Sequence, residues 1–193
     1  MIEIRPFAGL GAANHGWLDA RHHFAFGGYR DVTRMGWGSL RVWNDDSIAA
    51  RSGFPPHPHS DMEIITYVRQ GAITHTDSLG NEGRTGAGDV QVMSAGNGIT
   101  HSEYNPEPEA TRIFQSWIQP TSQGARLAGA TLRAGKSTSY RLGHGRHLYL
   151  VSPSGTIEGE GQRAEADDGV AVSSFASIRV SAVDDAEIVL VDA

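Results

Sequence analysis

The chain has 193 residues, nine histidines, no cysteine and a formal net charge of −6 at neutral pH. Its length suffices for one large domain or two small ones around a real core, and the missing cysteines exclude disulfides, thiolate metal sites and cysteine nucleophiles together. An acidic balance without a basic cluster speaks against a phosphate-tracking surface, so no direct nucleic-acid partner is expected.

No apolar run is long enough to span a membrane, and Met1-Ile2-Glu3-Ile4-Arg5 lacks the apolar stretch of a secretory signal. The reading is a soluble, cytoplasmic protein with no membrane association. In chain order, His22 and His23 beside Phe24 and Phe26 alternate as a strand would, and Met62–Arg69, Ala72–Thr76 and Val90–Ser94 follow as short strands rich in β-branched residues. Asp77-Ser78-Leu79-Gly80-Asn81 reads as a hairpin turn, and Gly83, Gly86 and Gly88 mark tight bends. Ile113–Ile118, Arg146–Val151, Gly169–Ser174 and Glu187–Val191 complete the strands, and one helical turn is expected near Gly124–Ala130. Many short strands at this spacing indicate an all-β sandwich or barrel.

The second half echoes the first. Gly71-Ala72-Ile73-Thr74 and Gly88-Asp89-Val90-Gln91-Val92-Met93-Ser94 resemble Gly155-Thr156-Ile157-Glu158 and Asp168-Gly169-Val170-Ala171-Val172-Ser173-Ser174. Two tandem β-barrels are expected: residues 1–120, and a smaller, degenerate one over residues 121–193. Arg141 and Gly143 fall where the first copy has His57 and His59, so the second barrel is expected to bind no metal and to serve in packing.

His57-Pro58-His59 and His101-Ser102-Glu103 carry the chemistry. On a strand, residues i and i+2 share a face, so if the two strands lie side by side, three imidazoles and a carboxylate converge on one point. A single pair at this spacing is more often a surface or hydrogen-bonded pair than a ligand set; the second pair turns the balance toward a metal site. Imidazole and carboxylate ligands without thiolate suit Fe(II), Mn(II), Ni(II), Cu(II) or Zn(II), and four protein ligands in an octahedral preference leave two positions open. Phe24, Phe26, Trp37, Phe54 and Met93 are candidates for an apolar wall, with core packing as the default for each. His144 and His147 read as a turn entering a strand rather than a ligand pair.

Gly53-(x3)-His57-x-His59-(x3)-Glu63-(x7)-Gly71 and Gly88-(x7)-Gly96-(x4)-His101 resemble the two cupin motifs, with Ser94 where many cupins have proline. Ala13-Asn14-His15-Gly16-Trp17-Leu18-Asp19, Leu40-Arg41-Val42-Trp43-Asn44-Asp45-Asp46, His57 to Ile64, His75 to Asn81 and Met93 to Pro106 resemble, more narrowly, the pirin family and its bacterial branch with quercetin 2,3-dioxygenase activity. The resemblance implies a bicupin of two double-stranded β-helix (jelly-roll) barrels whose N-terminal barrel binds one divalent metal through His57, His59, His101 and Glu103. That metal is usually Fe(II), with Ni, Mn, Co, Cu or Zn as alternatives. After Trp117-Ile118-Gln119-Pro120 the family has a longer connector than this chain.

Glu63 has the parity of His57 and His59, so an unbroken strand would turn it inward. The resemblance favours Glu103 as the ligand and leaves Glu63 a supporting hydrogen bond, since metal-bound imidazoles need a partner on their other nitrogen; an ordinary buried, paired glutamate is the competing reading. His75 approaches the same pocket, with a satisfied turn or core histidine as its alternative. The implied function is an oxidoreductase that opens the heterocyclic ring of a flavonol with dioxygen and releases carbon monoxide, Glu103 acting as the base. The competing class is a pirin-like metal-binding redox sensor or transcription cofactor that acts on a protein partner without a significant catalytic role, built on the same four ligands.

Overall fold

The computed structural model describes residues 1–193, which fold as two compact units. One comprises Gly11–Met35 and Arg41–Pro120; the other comprises Met1–Leu10, Gly36–Leu40 and Thr121–Ala193. The sequence divides the chain once, near residue 120, whereas the structure assigns the first ten residues to the later unit. A hydrogen-bonded partner decides this: the first strand pairs antiparallel with Gly169–Ser173, from Ile2 against Val172 to Arg5 against Gly169.

The first unit is built of two sheets. The larger runs in the order β2 (Gly11–Asn14), β3 (Leu18–His22), β4 (Leu40–Ile48), β11 (Thr111–Ile118), β6 (Glu63–Gln70), β9 (Val90–Ser94). The smaller runs β5 (Ser52–His59), β10 (Ile99–Asn105), β7 (Ala72–Asp77), β8 (Glu82–Gly86). Alternation determines what enters the interior: along β10, Ile99, His101, Glu103 and Asn105 are buried while Thr100 and Tyr104 are exposed. Leu18, Ala20, Ile48, Val68, Ile73 and Ile113 form an apolar core containing no candidate ligand, and Ile64, Met93, Ala95 and Ile99 form a second cluster.

The second unit repeats this strand order. Its sheets run β1 (Ile2–Arg5), β17 (Gly169–Ser173), β14 (His147–Ser154), β19 (Ala186–Asp192), β12 (Arg126–Leu132), and β13 (Ser137–Arg141), β18 (Ser177–Ala182), β15 (Ile157–Gly159), β16 (Gln162–Ala164). The order β12-β19-β14-β17 matches β4-β11-β6-β9, and β13-β18-β15-β16 matches β5-β10-β7-β8. The internal echo is therefore a structural repeat. Counted from the strand ends, Ser139 and Arg141 occupy the places of His57 and His59, two residues earlier than the sequence alignment puts them. Neither β13 nor β18 contains a histidine.

All seven expected strands form, with ends displaced by at most three residues. The expected helical turn near Gly124–Ala130 does not: Arg126–Leu132 is β12, paired with β19 from Arg126 against Asp192 to Leu132 against Ala186. Alanine and leucine favour a helix, but so short a segment cannot offset the cost of nucleating one, and β19 satisfies its backbone along its whole length. The only helical element is a single 3-10 turn, Phe7–Gly9. No helix is long and apolar enough to cross a membrane.

Candidate metal centre

β5 and β10 lie side by side, antiparallel, with His57 directly opposite His101 and His59 opposite Ile99. Their register then slips: Glu103 faces Phe54, so two steps along β10 match three along β5. This β-bulge falls at Pro55-Pro56. Proline has no N–H to give a ladder, and bulges are where a strand tolerates it. The Pro55 carbonyl, turned out of the ladder, accepts a hydrogen bond from His57 Nδ1 at 2.8 Å, which puts the His57 proton on Nδ1 and leaves Nε2 as the free lone pair. Gly53 permits the close approach beside the bulge: a Cβ there would lie 2.2 Å from the Glu103 carbonyl oxygen.

The result is a cluster in which ligand nitrogens of His57, His59 and His101 all lie within 4.8 Å of one another. Nε2 of His57 and Nε2 of His101 face each other at 3.1 Å. Nε2 of His59 is buried with no hydrogen-bond partner. His57 and His59 are half-buried and His101 is fully buried. Three imidazole nitrogens thus converge, one of them buried with no partner at all, and a cation between them would meet all three. A proton is disfavoured there: His101 is pushed down to about 3, first by burial, then by His57, His59 and His75, against a smaller upward pull from Asp77. Burial, with His57 adding, also lowers His59. The donor set fits a divalent metal ion with imidazole ligands.

The same shifts give a pH dependence. Both rings take up protons less readily when folded than at the ordinary value of 6.5, so their contribution to stability is fully present above that value and is lost as pH falls below it, for His101 over the range down to about 3. The metal-free protein is expected to unfold at lower denaturant concentration at pH 5 than at pH 7.5, with a smaller difference in His101→Asn. An unfolding midpoint independent of pH over that interval would contradict this account.

Glu103, two residues along β10 from His101, is not part of the three-histidine group. It is buried, with Oε1 accepting from Thr66 Oγ1 at 2.9 Å and Oε2 from Gln115 Nε2 at 2.6 Å. Burial raises its carboxyl above the ordinary value, and these two hydrogen bonds offset only part of that rise. Gln115 is itself fixed, its Oε1 accepting from Trp117 Nε1 at 3.0 Å. Trp117 meets His59 edge to face at 4.8 Å between ring centres and Phe26 at 5.3 Å.

The remaining candidates separate. Glu63 accepts a hydrogen bond from Ser94 Oγ rather than from a ligand imidazole. The strand is broken between His59 and Glu63 by Asp61, at φ 54°, so its parity with the histidines does not carry across. His75 is buried with Nδ1 3.4 Å from Nδ1 of His101. Phe54 stands at the border, 6.1 Å from the His57 ring and 5.0 Å from Trp17, while Met93 is buried in the cluster with Ile64. Phe24 and His23 are core residues. Trp37 belongs to the other unit, its Nε1 donating to the Val172 carbonyl.

The place of Thr66, Gln115, Trp117 and Asp77 at the site is not foreseen from the sequence, which gives Asp77 only as part of a turn. A signal existed for the first two: each is a polar residue within an apolar strand, and a buried polar side chain needs a partner in the interior.

Residues 5–118 match the family model described as Pirin, and residues 119–193 the model described as a quercetinase C-terminal cupin domain. A pirin-like protein of Caulobacter vibrioides is 53% identical over 231 aligned residues that span all of both chains. A quercetin 2,3-dioxygenase of Escherichia coli K12 is 35% identical over 227 residues, covering 100% of this chain and 98% of that protein. The crystal structure of the bacterial pirin YhhW from Escherichia coli in complex with nickel(II) superposes with a TM-score of 0.92 at 36% identity, covering 100% of this chain and 98% of that one. The 231 positions aligned with the Caulobacter protein leave 38 without a residue in this chain of 193, and the two family models abut at residues 118 and 119.

Proposed function

We propose, from the premise that this chain belongs to the pirin family, that it is a metal-dependent dioxygenase acting on a flavonol-like aromatic substrate. The convergence of three imidazole nitrogens, one of them buried with no hydrogen-bond partner, carries this reading. A divalent ion held there would supply Lewis acidity and a template bringing a substrate hydroxyl and dioxygen together. Iron is the family's usual metal, and the nickel(II) complex of the related Escherichia coli protein supports a wider choice.

The chain's own residues do the rest. His57, His59 and His101 would hold the ion, with Glu103 as the fourth ligand and the base. Each Glu103 oxygen accepts one hydrogen bond from the protein, from Thr66 or from Gln115, and has a second lone pair left to meet the ion or a substrate hydroxyl. It would take the proton of the substrate's 3-hydroxyl, so that electron density can pass from the ring to dioxygen. Two carbon–carbon bonds at the ring carbon bearing that hydroxyl break, that carbon leaves as carbon monoxide, and both atoms of dioxygen are retained in the ring-opened ester. Phe26, Phe54 and Trp117 offer aromatic surface for a flat ring system beside the half-buried His57 and His59.

The test is oxygen uptake and carbon monoxide release by metal-loaded protein with quercetin. One molecule of each gas per flavonol consumed is expected. Full metal occupancy with no oxygen uptake would sink the enzyme reading and favour the metal-binding sensor.

A further inference from the structure

The metal cluster continues inward through two more side chains. His101 turns Nε2 toward His57 and Nδ1 toward Nδ1 of His75, at 3.4 Å. Nε2 of His75 lies 3.3 Å from Oδ2 of Asp77. The His75 and Asp77 side chains are only 7% and 4% exposed. The strand register brings them there, since β7 pairs with β10 with Asp77 opposite His101 and His75 opposite Glu103.

Asp77 is fixed by the hairpin turn that follows it. Its Oδ1 accepts from the backbone N–H groups of Leu79 and Asn81, at 2.9 and 3.0 Å, and its Oδ2 accepts from Asn81 Nδ2 at 2.9 Å. Those bonds, the Asn81 side-chain amide first among them, hold its carboxyl down to about 2. Asp77 is thus an acceptor only.

Proton positions then follow in one direction. A carboxylate that only accepts places the His75 proton on Nε2, which leaves a lone pair on Nδ1. That lone pair accepts the proton of His101 Nδ1, and His101 is left with its own lone pair on Nε2, where the three ligand nitrogens converge. We propose that Asp77 and His75 form a positioning pair that sets the tautomer and ring orientation of His101, and through it the affinity of the site for its metal. The pair does for His101 what the bulged Pro55 carbonyl does for His57. The inference rests on the metal site proposed above and not on any substrate.

Two measurements test it. His75→Leu removes the acceptor for His101 and is expected to weaken Ni(II) binding, measured by chelator competition, by about 10- to 100-fold, the range for partners of ligand histidines. His75→Gln keeps an acceptor oxygen for His101 and a donor N–H for Asp77, and should recover most of the affinity. Wild-type affinity in His75→Leu, or no rescue by His75→Gln in a folded protein, would overturn the proposal. Long-range 1H–15N spectra of the wild-type chain, metal-free and Zn(II)-loaded, should show His75 protonated on Nε2 and not on Nδ1. A proton on Nδ1 of His75 would overturn it independently of any variant. If the wild-type chain binds no Ni(II), the metal reading fails on its own account, and the His75 tautomer still decides this one.

Discussion

Alanine at His101 is expected to abolish stoichiometric metal binding while leaving the barrel folded. His101 is the buried member of the three-imidazole cluster, and its Nε2 meets His57 while its Nδ1 meets His75. Without it the two half-buried imidazoles and Glu103 are left, and the buried nitrogen that faces His57 and completes the three-imidazole cluster is gone. The fold has separate support: the apolar cluster of Leu18, Ala20, Ile48, Val68, Ile73 and Ile113 includes none of the ligands. Truncation leaves His75 Nδ1 without its partner, at a cost of about 1–3 kcal/mol for a buried unsatisfied group, against roughly 5–15 kcal/mol for a typical domain. Elemental analysis after loading, alongside far-UV circular dichroism, reads both halves. Full occupancy in a folded His101→Ala protein would show that the metal is held elsewhere.

Glu103→Gln is expected to retain metal, more weakly, while flavonol turnover falls by about 10²–10⁴-fold, the usual contribution of a general base. The surroundings can accommodate an amide. One Glu103 oxygen faces the Thr66 hydroxyl, which can rotate to accept an N–H instead of donating. The other faces Gln115 Nε2, which Trp117 holds in its present orientation, and is therefore the one that must stay an oxygen. Glu63→Gln is the control: with its hydrogen bond directed to Ser94, it should change metal affinity by less than tenfold. Metal content and oxygen uptake measured on both variants at equal loading decide the matter. Near-normal turnover in Glu103→Gln beside a metal-free Glu63→Gln would exchange the roles of the two glutamates.

The strands and the three-histidine cluster were legible because both depend on a period of two. That period survives any tertiary arrangement in which one face of a strand is buried. Glu63 shows where such counting stops: parity propagates only along an unbroken strand, and the left-handed residue Asp61 resets it. The bulge at Pro55-Pro56 was visible as a diproline inside a strand, yet what its freed carbonyl would hold depended on the register with β10. Helix propensity misled at Arg126–Leu132, where the partner strand lies some sixty residues away and no local signal announces it. The supports of the site, Thr66, Gln115 and Trp117, come from β6 and β11 in the opposite sheet, so nothing near the histidine motifs points to them.

The pairing of Ile2–Arg5 with Gly169–Ser173 ties the order of synthesis to the order of assembly. A ribosome releases the first strand long before its partner exists, so that strand must wait, unpaired, while the intervening barrel folds. Expressing residues 121–193 by themselves would strip β17 of this neighbour and uncover a hydrogen-bonding edge of the kind that recruits other chains. A shortened gene meant to yield the later barrel needs those opening residues grafted back beside Ser173, or it will yield a sheet with an open flank.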